Sequence, residues 1–259
     1  MNKIIIIFFF SFGIYFTSIV ESNSVNIQPS KSKSFSKSKK TLMKIYLNSN
    51  QSSTFYCSCK FDSKKNINHA TCNYSPRKNT NKRSRKLEWE HVVPAAKFGE
   101  NLNCWKQKVC TRKGKLYRGR KCCGKVSQIF RLMESDLHNL FPSIGEVNGD
   151  RSNYVFGEIS GEQRIYGKCD IEITKRTAEP TEKIRGDIAR SYFYMMTLYN
   201  LSLDGEFLRM LKQWNKIDPP DKWEKQRNLL IEEVQGNRNP FIDDFNLINI
   251  ERNLSIEQK

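Results

Sequence analysis

Hydrophobic positions mark both ends of the chain most clearly. Ile4 to Val20 carries no charge, follows the positive start Met1-Asn2-Lys3 and exits among Ser18, Ser22 and Ser24. An apolar run at the extreme N-terminus with such an exit predicts a cleaved signal peptide over residues 1–21. No later apolar run reaches spanning length, so no stable membrane association is expected afterwards. Residues 22–40 are rich in Ser and Lys with almost nothing apolar, which predicts a disordered basic arm. From Leu42 to about Asp243 no linker divides the chain. One domain is expected over 41–245, with a tail over 246–259.

Within the domain the periodicity is mixed. Thr41–Leu47 reads as a short helix and Ser53–Phe61 as extended. Arg85–Val93 alternates, with Leu87, Trp89, His91 and Val93 in phase, and predicts a strand. Asn148-Gly149-Asp150 has turn chemistry, with Asp150 placed to cap a short helix. Arg164–Ile173 reads as another strand. Three helical stripes follow: Ile184, Ile188, Tyr192, Met195, Met196 and Tyr199; then Phe207, Leu208, Leu211 and Trp214; then Trp223, Leu230, Ile231 and Val234. These large side chains are read as core. The fold class is therefore α+β with a helical C-terminal part.

Charge changes the picture. The chain holds 44 Lys and Arg against 27 Asp and Glu, a formal net charge of +17. Signal removal leaves it unchanged, because Lys3 and Glu21 cancel. Cations crowd Arg77–Lys86 and Lys106–Lys125, on either side of the Glu90-His91 pair. Such a surface suits a phosphate backbone, with affinity that falls steeply as salt rises. Eight cysteines (Cys57, Cys59, Cys72, Cys104, Cys110, Cys122, Cys123, Cys169) form an even set behind an export signal, which reads as disulfides. Cys57-Ser58-Cys59 does not have zinc-pair spacing. The grouping suggests Cys57, Cys59, Cys72 and Cys169 as one set and the other four as a second. Vicinal Cys122 and Cys123 are expected to bond different partners.

The candidate chemistry starts at Leu87-Glu88-Trp89-Glu90-His91-Val92-Val93-Pro94, where a carboxylate adjoins one of three histidines. Gly119-Arg120-Lys121 supplies a guanidinium, and Gly145-Glu146-Val147-Asn148-Gly149-Asp150-Arg151 an amide oxygen beside acids. Phosphodiester hydrolysis needs a base for water, charge to hold the phosphorane and help for the leaving oxygen. A histidine serves the first need, and a divalent ion with open positions the others. Mg²⁺ takes hard oxygen ligands and keeps waters, so Glu90 and Asn148 suffice. Arg120 completes the set as a phosphate fork. His138 is the rival base and is read as structurally hydrogen-bonded, while His69 is read as solvated. Glu88 stands two residues from Glu90 and is read as a supporting or exposed acid.

Several segments together resemble the bacterial endonuclease I family. They are Leu87–Ala95, Phe98-Gly99, Met133-Glu134-Ser135-Asp136-Leu137-His138-Asn139-Leu140, Ile144–Asn153 and Gln235-Gly236-Asn237-Arg238-Asn239-Pro240-Phe241. Tyr56-Cys57-Ser58-Cys59 and Arg185–Arg190 fit as well. The resemblance covers roughly Leu42 to Asp243, in order. It implies a secreted or periplasmic, non-sequence-specific nuclease with a ββα-metal (His-Me finger) site. The activity implied is Mg²⁺-dependent cleavage of DNA, and also of RNA, to 5′-phosphate ends, by a protein expected to be monomeric. It places the general base on His91, metal ligands on Glu90 and Asn148, and the phosphate contact on Arg120. Glu134, Asn139 and Glu146 match positions that orient ligands and waters. The C-terminus lacks a terminal disulfide of some relatives, and the resemblance suggests Cys110 with Cys123 as a different pair. Two other classes remain open at this point: a catalytically silent cationic nucleic-acid-binding protein, and a zinc hydrolase using cysteines and histidines.

Overall fold

The computed structural model describes Ile27 and residues 34–78, 80–161 and 163–250. The expected signal peptide lies outside them. The first helix, α1 (Phe35–Asn48), begins six residues earlier than its apolar stripe suggests. Ser34 caps it by accepting from the Lys37 amide, and Ser38 Oγ donates to the Ser135 carbonyl at 2.6 Å. Residues 35–40 are therefore ordered, contrary to the disordered arm expected through residue 40. Their composition is polar, but tertiary contacts replace the apolar burial that composition alone would require.

After α1 come β1 (Lys60–Phe61), β2 (Ile67–Asn68), β3 (Leu87–His91), α2 (Ala95–Gly99), α3 (Asn103–Lys106), β4 (Cys110–Arg112) and β5 (Lys115–Tyr117). Next are α4 (Arg120–Val126), α5 (Gln128–Ser135), β6 (Leu140–Ile144), α6 (Gly145–Arg151), β7 (Val155–Phe156), β8 (Ile171–Thr174) and β9 (Thr177–Pro180). Helices α7 (Arg185–Tyr199), α8 (Gly205–Ile217), α9 (Lys222–Gln235), α10 (Pro240–Asp243) and α11 (Leu247–Ile250) complete the described chain. The expected tail is partly folded, because α11 buries Ile248 completely.

The unit that carries the site is β3–β6–α6. The two strands pair antiparallel with His91 opposite Leu140 and Leu87 opposite Ile144. Helix α6 starts at the residue after β6 and packs back on the pair. Asn148-Gly149-Asp150 thus lies inside a helix, not in the expected turn. Gly149 is needed there, since a Cβ would fall 2.2 Å from the Arg83 guanidinium. Ser53–Phe61 is mostly turn, not extended, and of Arg164–Ile173 only the end enters strand β8.

The disulfides explain those two departures. Cys57–Cys169 and Cys59–Cys72 pin the chain just after Tyr56 to the segments at Cys169 and Cys72, so covalent closure holds what a ladder would otherwise hold. Cys104–Cys123 and Cys110–Cys122 close the second set, and no free cysteine remains among the described residues. The two groups are as the sequence suggests, and the vicinal pair is not bonded to itself. Cys110 pairs with Cys122 and not with Cys123, which Cys104 takes from α3.

The helical half is a scaffold behind β6. Ile188, Tyr192, Phe193, Tyr194, Met195 and Met196 of α7 are all buried, so this helix is enclosed on nearly every side. The α8 stripe buries Leu208, Leu211 and Trp214. Helix α9 differs from expectation: Val234 is exposed, while Glu224, Arg227, Asn228 and Gln235 face inward beside Ile231. Arg190 of α7 pairs with Glu224 at 2.5 Å. Arg227 Nη2 donates to the carbonyls of Leu137 and Leu140, at 2.7 and 2.8 Å. These bonds grip the turn that feeds β6, and hence fix where α6 begins. Among the described residues no helix is long and apolar enough to cross a membrane.

Candidate active site

His91 ends β3, and its Nε2 lies 2.9 Å from the Glu134 carbonyl oxygen. A carbonyl can only accept, so Nε2 carries the proton and Nδ1 keeps its lone pair. Burial, followed by the Arg120 guanidinium, pushes the His91 pKa down to about 3, so the ring is neutral at neutral pH. Glu134, on α5, also accepts from Arg120 Nε at 2.7 Å. One residue therefore sets both the tautomer of His91 and the direction of Arg120.

Arg120 opens α4, with Gly119 before it at φ 84°, where an L side chain would be strained. Its guanidinium lies 5.5 Å from the Phe35 ring centroid, and Lys39 Nζ lies 4.4 Å from the same centroid. The Phe35 ring in turn packs on His91 at 4.9 Å. A polar cleft of about 280 Å³ opens here, lined by Phe35, Lys39, Glu88, Arg120 and Asn148 among others. The larger cavity, about 460 Å³ beside Pro94, Tyr154, Tyr192 and Phe207, touches none of the candidate residues. Of the candidate residues, Arg120 and Asn148 line the smaller one. His91 packs behind its lining residue Phe35, and neither His91 nor Glu90 is part of the lining.

Glu90 is almost fully buried. Its Oε1 accepts from Tyr56 Oη at 2.8 Å and from Arg151 Nη1 at 2.9 Å. Burial raises its pKa, while Arg151 and the Tyr56 hydroxyl pull it back. Arg151, the last residue of α6, also donates to the carbonyls of His91 (2.9 Å) and Val92 (2.7 Å). It thereby locks the helix to the exit of β3. Asn148 Nδ2 donates to Glu88 Oε2 at 2.7 Å, and Arg83 holds the same carboxylate through two bonds. With the amide nitrogen turned to Glu88, the oxygen is the end left for a ligand. Asn148 is thus tied to Glu88, while Glu90 is tied to Tyr56 and Arg151. Glu88 and Glu90 stand two apart on β3, on the face that α6 covers.

The remaining expected residues act at a distance from the cleft. Asn139 exchanges side-chain bonds with the Val93 amide (2.7 Å) and carbonyl (2.9 Å), extending the β3 pairing beyond its end. Glu146 accepts from Tyr74 Oη and from Asn81 Nδ2, anchoring α6 to the basic segment before β3. His138 bonds the Asn237 carbonyl through Nε2 at 3.2 Å, as expected of a structural histidine. His69 is half-buried with Nε2 2.8 Å from the Ser84 carbonyl, so it is not the solvated residue expected. Sequence reasoning gave no role to Phe35, Lys39, Tyr56 or Arg151. A capping Ser34 followed by Phe35, Ser38, Leu42 and Ile45 at helical spacing is the signal that points to the first two.

Comparison with known proteins agrees with this geometry. The family model described as Endonuclease I matches residues 16–245. A periplasmic deoxyribonuclease of Aeromonas hydrophila is 42% identical over 226 residues, covering 85% of this chain and 90% of that protein. An endonuclease-1 of Buchnera aphidicola is 43% identical over 206 residues, covering 78% of each. An extracellular ribonuclease of Bacillus amyloliquefaciens is 36% identical over 128 residues, covering 42% of this chain and 43% of that protein. On these matches the chain belongs to the endonuclease I family and is a secreted or periplasmic endonuclease.

Proposed function

We propose that the protein hydrolyses phosphodiester bonds of DNA without sequence preference, with His91 as general base, and leaves 5′-phosphate ends. The observation that carries this reading is the His91 ring, held through Nε2 by the Glu134 carbonyl and packed on Phe35, which lines a cleft together with Arg120 and Asn148. Nδ1 takes a proton from water, whose oxygen attacks phosphorus. The P–O3′ bond breaks, O3′ leaves as an alkoxide that takes a proton from solvent water, and the phosphate stays on the 5′ side. Arg120 holds non-bridging oxygens as negative charge grows on them.

The residues fit one Mg²⁺. Glu90 and Asn148 offer a carboxylate and an amide oxygen, a hard-oxygen pair suited to that ion and poorly suited to zinc. When bound there, the ion supplies Lewis-acid stabilisation of the phosphorane and of the departing oxygen. Glu88 orients Asn148, and Arg151 with Tyr56 orients Glu90. RNA is proposed as a second substrate, since contacts made to phosphates do not read the sugar, and one relative bears the name ribonuclease. Nicking of supercoiled plasmid and degradation of RNA, each with Mg²⁺ and with EDTA, test the reading. Cleavage that continues in EDTA overturns the metal, and a folded protein inert with Mg²⁺ overturns the site.

A further inference from the structure

Strands β4 and β5 form a ribbon whose faces are left to solvent. Cys110 pairs with Tyr117, Thr111 with Leu116 and Arg112 with Lys115. The two-residue loop, Lys113-Gly114, has φ of 49° and 74°, the positive pair that a tight hairpin with the natural strand twist requires. Every residue from Thr111 to Leu116 is exposed, including the apolar Leu116 at 60%. An isolated hairpin of this size is marginal in water. Here its root is clamped: Cys110–Cys122 ties it to α4, which Cys104–Cys123 in turn ties to α3, and Arg118 Nη1 donates to the Lys106 carbonyl at 2.7 Å. A covalent tie at the root of so small an element makes sense if the ribbon must bear load without a core behind it.

Charge says what it bears. No acidic residue occurs between Asn103 and Ser127. Among the described residues Arg112, Lys113 and Lys115 have no carboxylate partner, whereas Arg83 and Arg120 do. Unneutralised cations gathered on one rigid arm cost self-repulsion and are placed for an external polyanion. The arm springs from the residues just before Arg120, the proposed contact to the scissile phosphate. Its cations thus lie close in sequence to an arginine that lines the cleft.

We infer that the β4–β5 ribbon is a duplex-gripping arm, whose Arg112, Lys113 and Lys115 meet backbone phosphates flanking the cleavage site while the ribbon lies along a groove. A two-stranded ribbon matches the width of the major groove. The inference rests on the nuclease reading of the cleft, and deepens it by separating where the substrate is held from where it is cut.

The test uses the full disulfide-bonded chain carrying Arg112→Gln, Lys113→Gln and Lys115→Gln together. A control removes similar charge from α8, as Lys212→Gln with Lys216→Gln. Binding to a duplex of about two helical turns is measured in a His91→Ala background, from low to moderate salt. Turnover is measured on plasmid and on a chromogenic mononucleotide diester too short to reach the ribbon. The ribbon variant should bind duplex about 10- to 100-fold more weakly at moderate salt, with the slope of log affinity against log salt reduced by about 2 to 3. Plasmid KM should rise accordingly, while chromogenic turnover is retained and the α8 control binds like the parent. An unchanged affinity and salt slope overturn the inference. So does an equal loss on the chromogenic diester, which would make the ribbon a prop for the site. Loss of binding to anionic vesicles with duplex binding intact would assign the arm to a membrane instead. A parent that cuts neither substrate defeats the nuclease reading, yet the duplex titration still decides the ribbon.

Discussion

His91 and His138 are both buried rings whose Nε2 meets a backbone carbonyl, at 2.9 Å from Glu134 and 3.2 Å from Asn237. Each packs on an aromatic ring, Phe35 at 4.9 Å and Tyr194 at 4.7 Å. Burial drives each pKa down to about 3. They differ in what faces the second nitrogen. His91 retains 7% exposure and packs on Phe35, which lines the cleft with Arg120, Lys39 and Asn148. His138 retains 1%, and its Nδ1 is buried without a hydrogen-bond partner. Around it Asp136 accepts from Tyr194 and Tyr199, and Gln235 and Asn237 complete the network. A perturbed pKa is thus common to both histidines and selects neither. Exposure distinguishes the proposed base from the strut.

Breaking that comparison is the largest effect on offer. His91→Ala should lower plasmid cleavage by about 10²–10⁴-fold in a protein that still folds. His138→Ala should do the reverse, keeping activity in the folded fraction while destabilising the turn before β6. A folded but inactive His138→Ala beside an active His91→Ala would exchange their roles. Removal of the metal separates the two regions equally well. EDTA should abolish cleavage and added Mg²⁺ restore it, while the disulfide-bonded fold melts as before. Asn148→Ala should lose activity with little change in stability. Glu90→Gln should lose both, because it leaves Arg151 buried without its counter-charge, at up to about 3–5 kcal/mol. Equal stability of the two variants by urea titration would show that the Glu90–Arg151 pair holds nothing.

The Phe35 ring sharpens the comparison from the His91 side. It seals the base and holds two cations over the cleft, so Phe35→Ala should lower kcat by up to about 10²-fold through misplacement, with Phe35→Leu recovering part of it. Wild-type kcat in Phe35→Ala would reduce the ring to packing. This residue also marks where the sequence stops being legible. Glu90-His91 and Asn148 can be proposed because the chemistry demands those residue types, Arg120 rests mainly on the family resemblance, and each lies in a short contiguous element, β3, α6 and α4. Phe35 and Lys39 sit in a Lys/Ser run whose composition argues for disorder. Only contacts with Ser135, His91 and Arg120, about 55 to 100 residues away in sequence, order them. The same reason hides the bond from Asn148 to Glu88 and the inward polar face of α9. Periodicity shows which face of a helix is apolar. It does not show that Glu224 will meet Arg190, or that Arg227 will meet two carbonyls of another segment.

The smallest effect concerns pH and reads His138 alone. A histidine whose folded pKa lies near 3 binds its proton in the unfolded chain first, at about 6.5. Its contribution to stability is therefore complete above about pH 6.5 and declines as pH falls toward 3, by at most about 1.4 kcal/mol per pH unit. Asp136 works in the opposite sense. Burial raises its folded pKa above 3.8, so it favours the folded state at low pH and loses that advantage as pH rises through the raised value. His91 adds a second decline of the same sign as His138. Both of these groups are common to the wild type and to His138→Asn, a substitution that keeps a donor for the Asn237 carbonyl. Subtracting the two stability curves should then leave the His138 term. The wild type should lose more stability than the variant between pH 6 and pH 4, measured by urea unfolding at each pH. Parallel curves would mean that the ring is not held neutral by its burial, and that the shared low pKa on which the comparison begins belongs to His91 only.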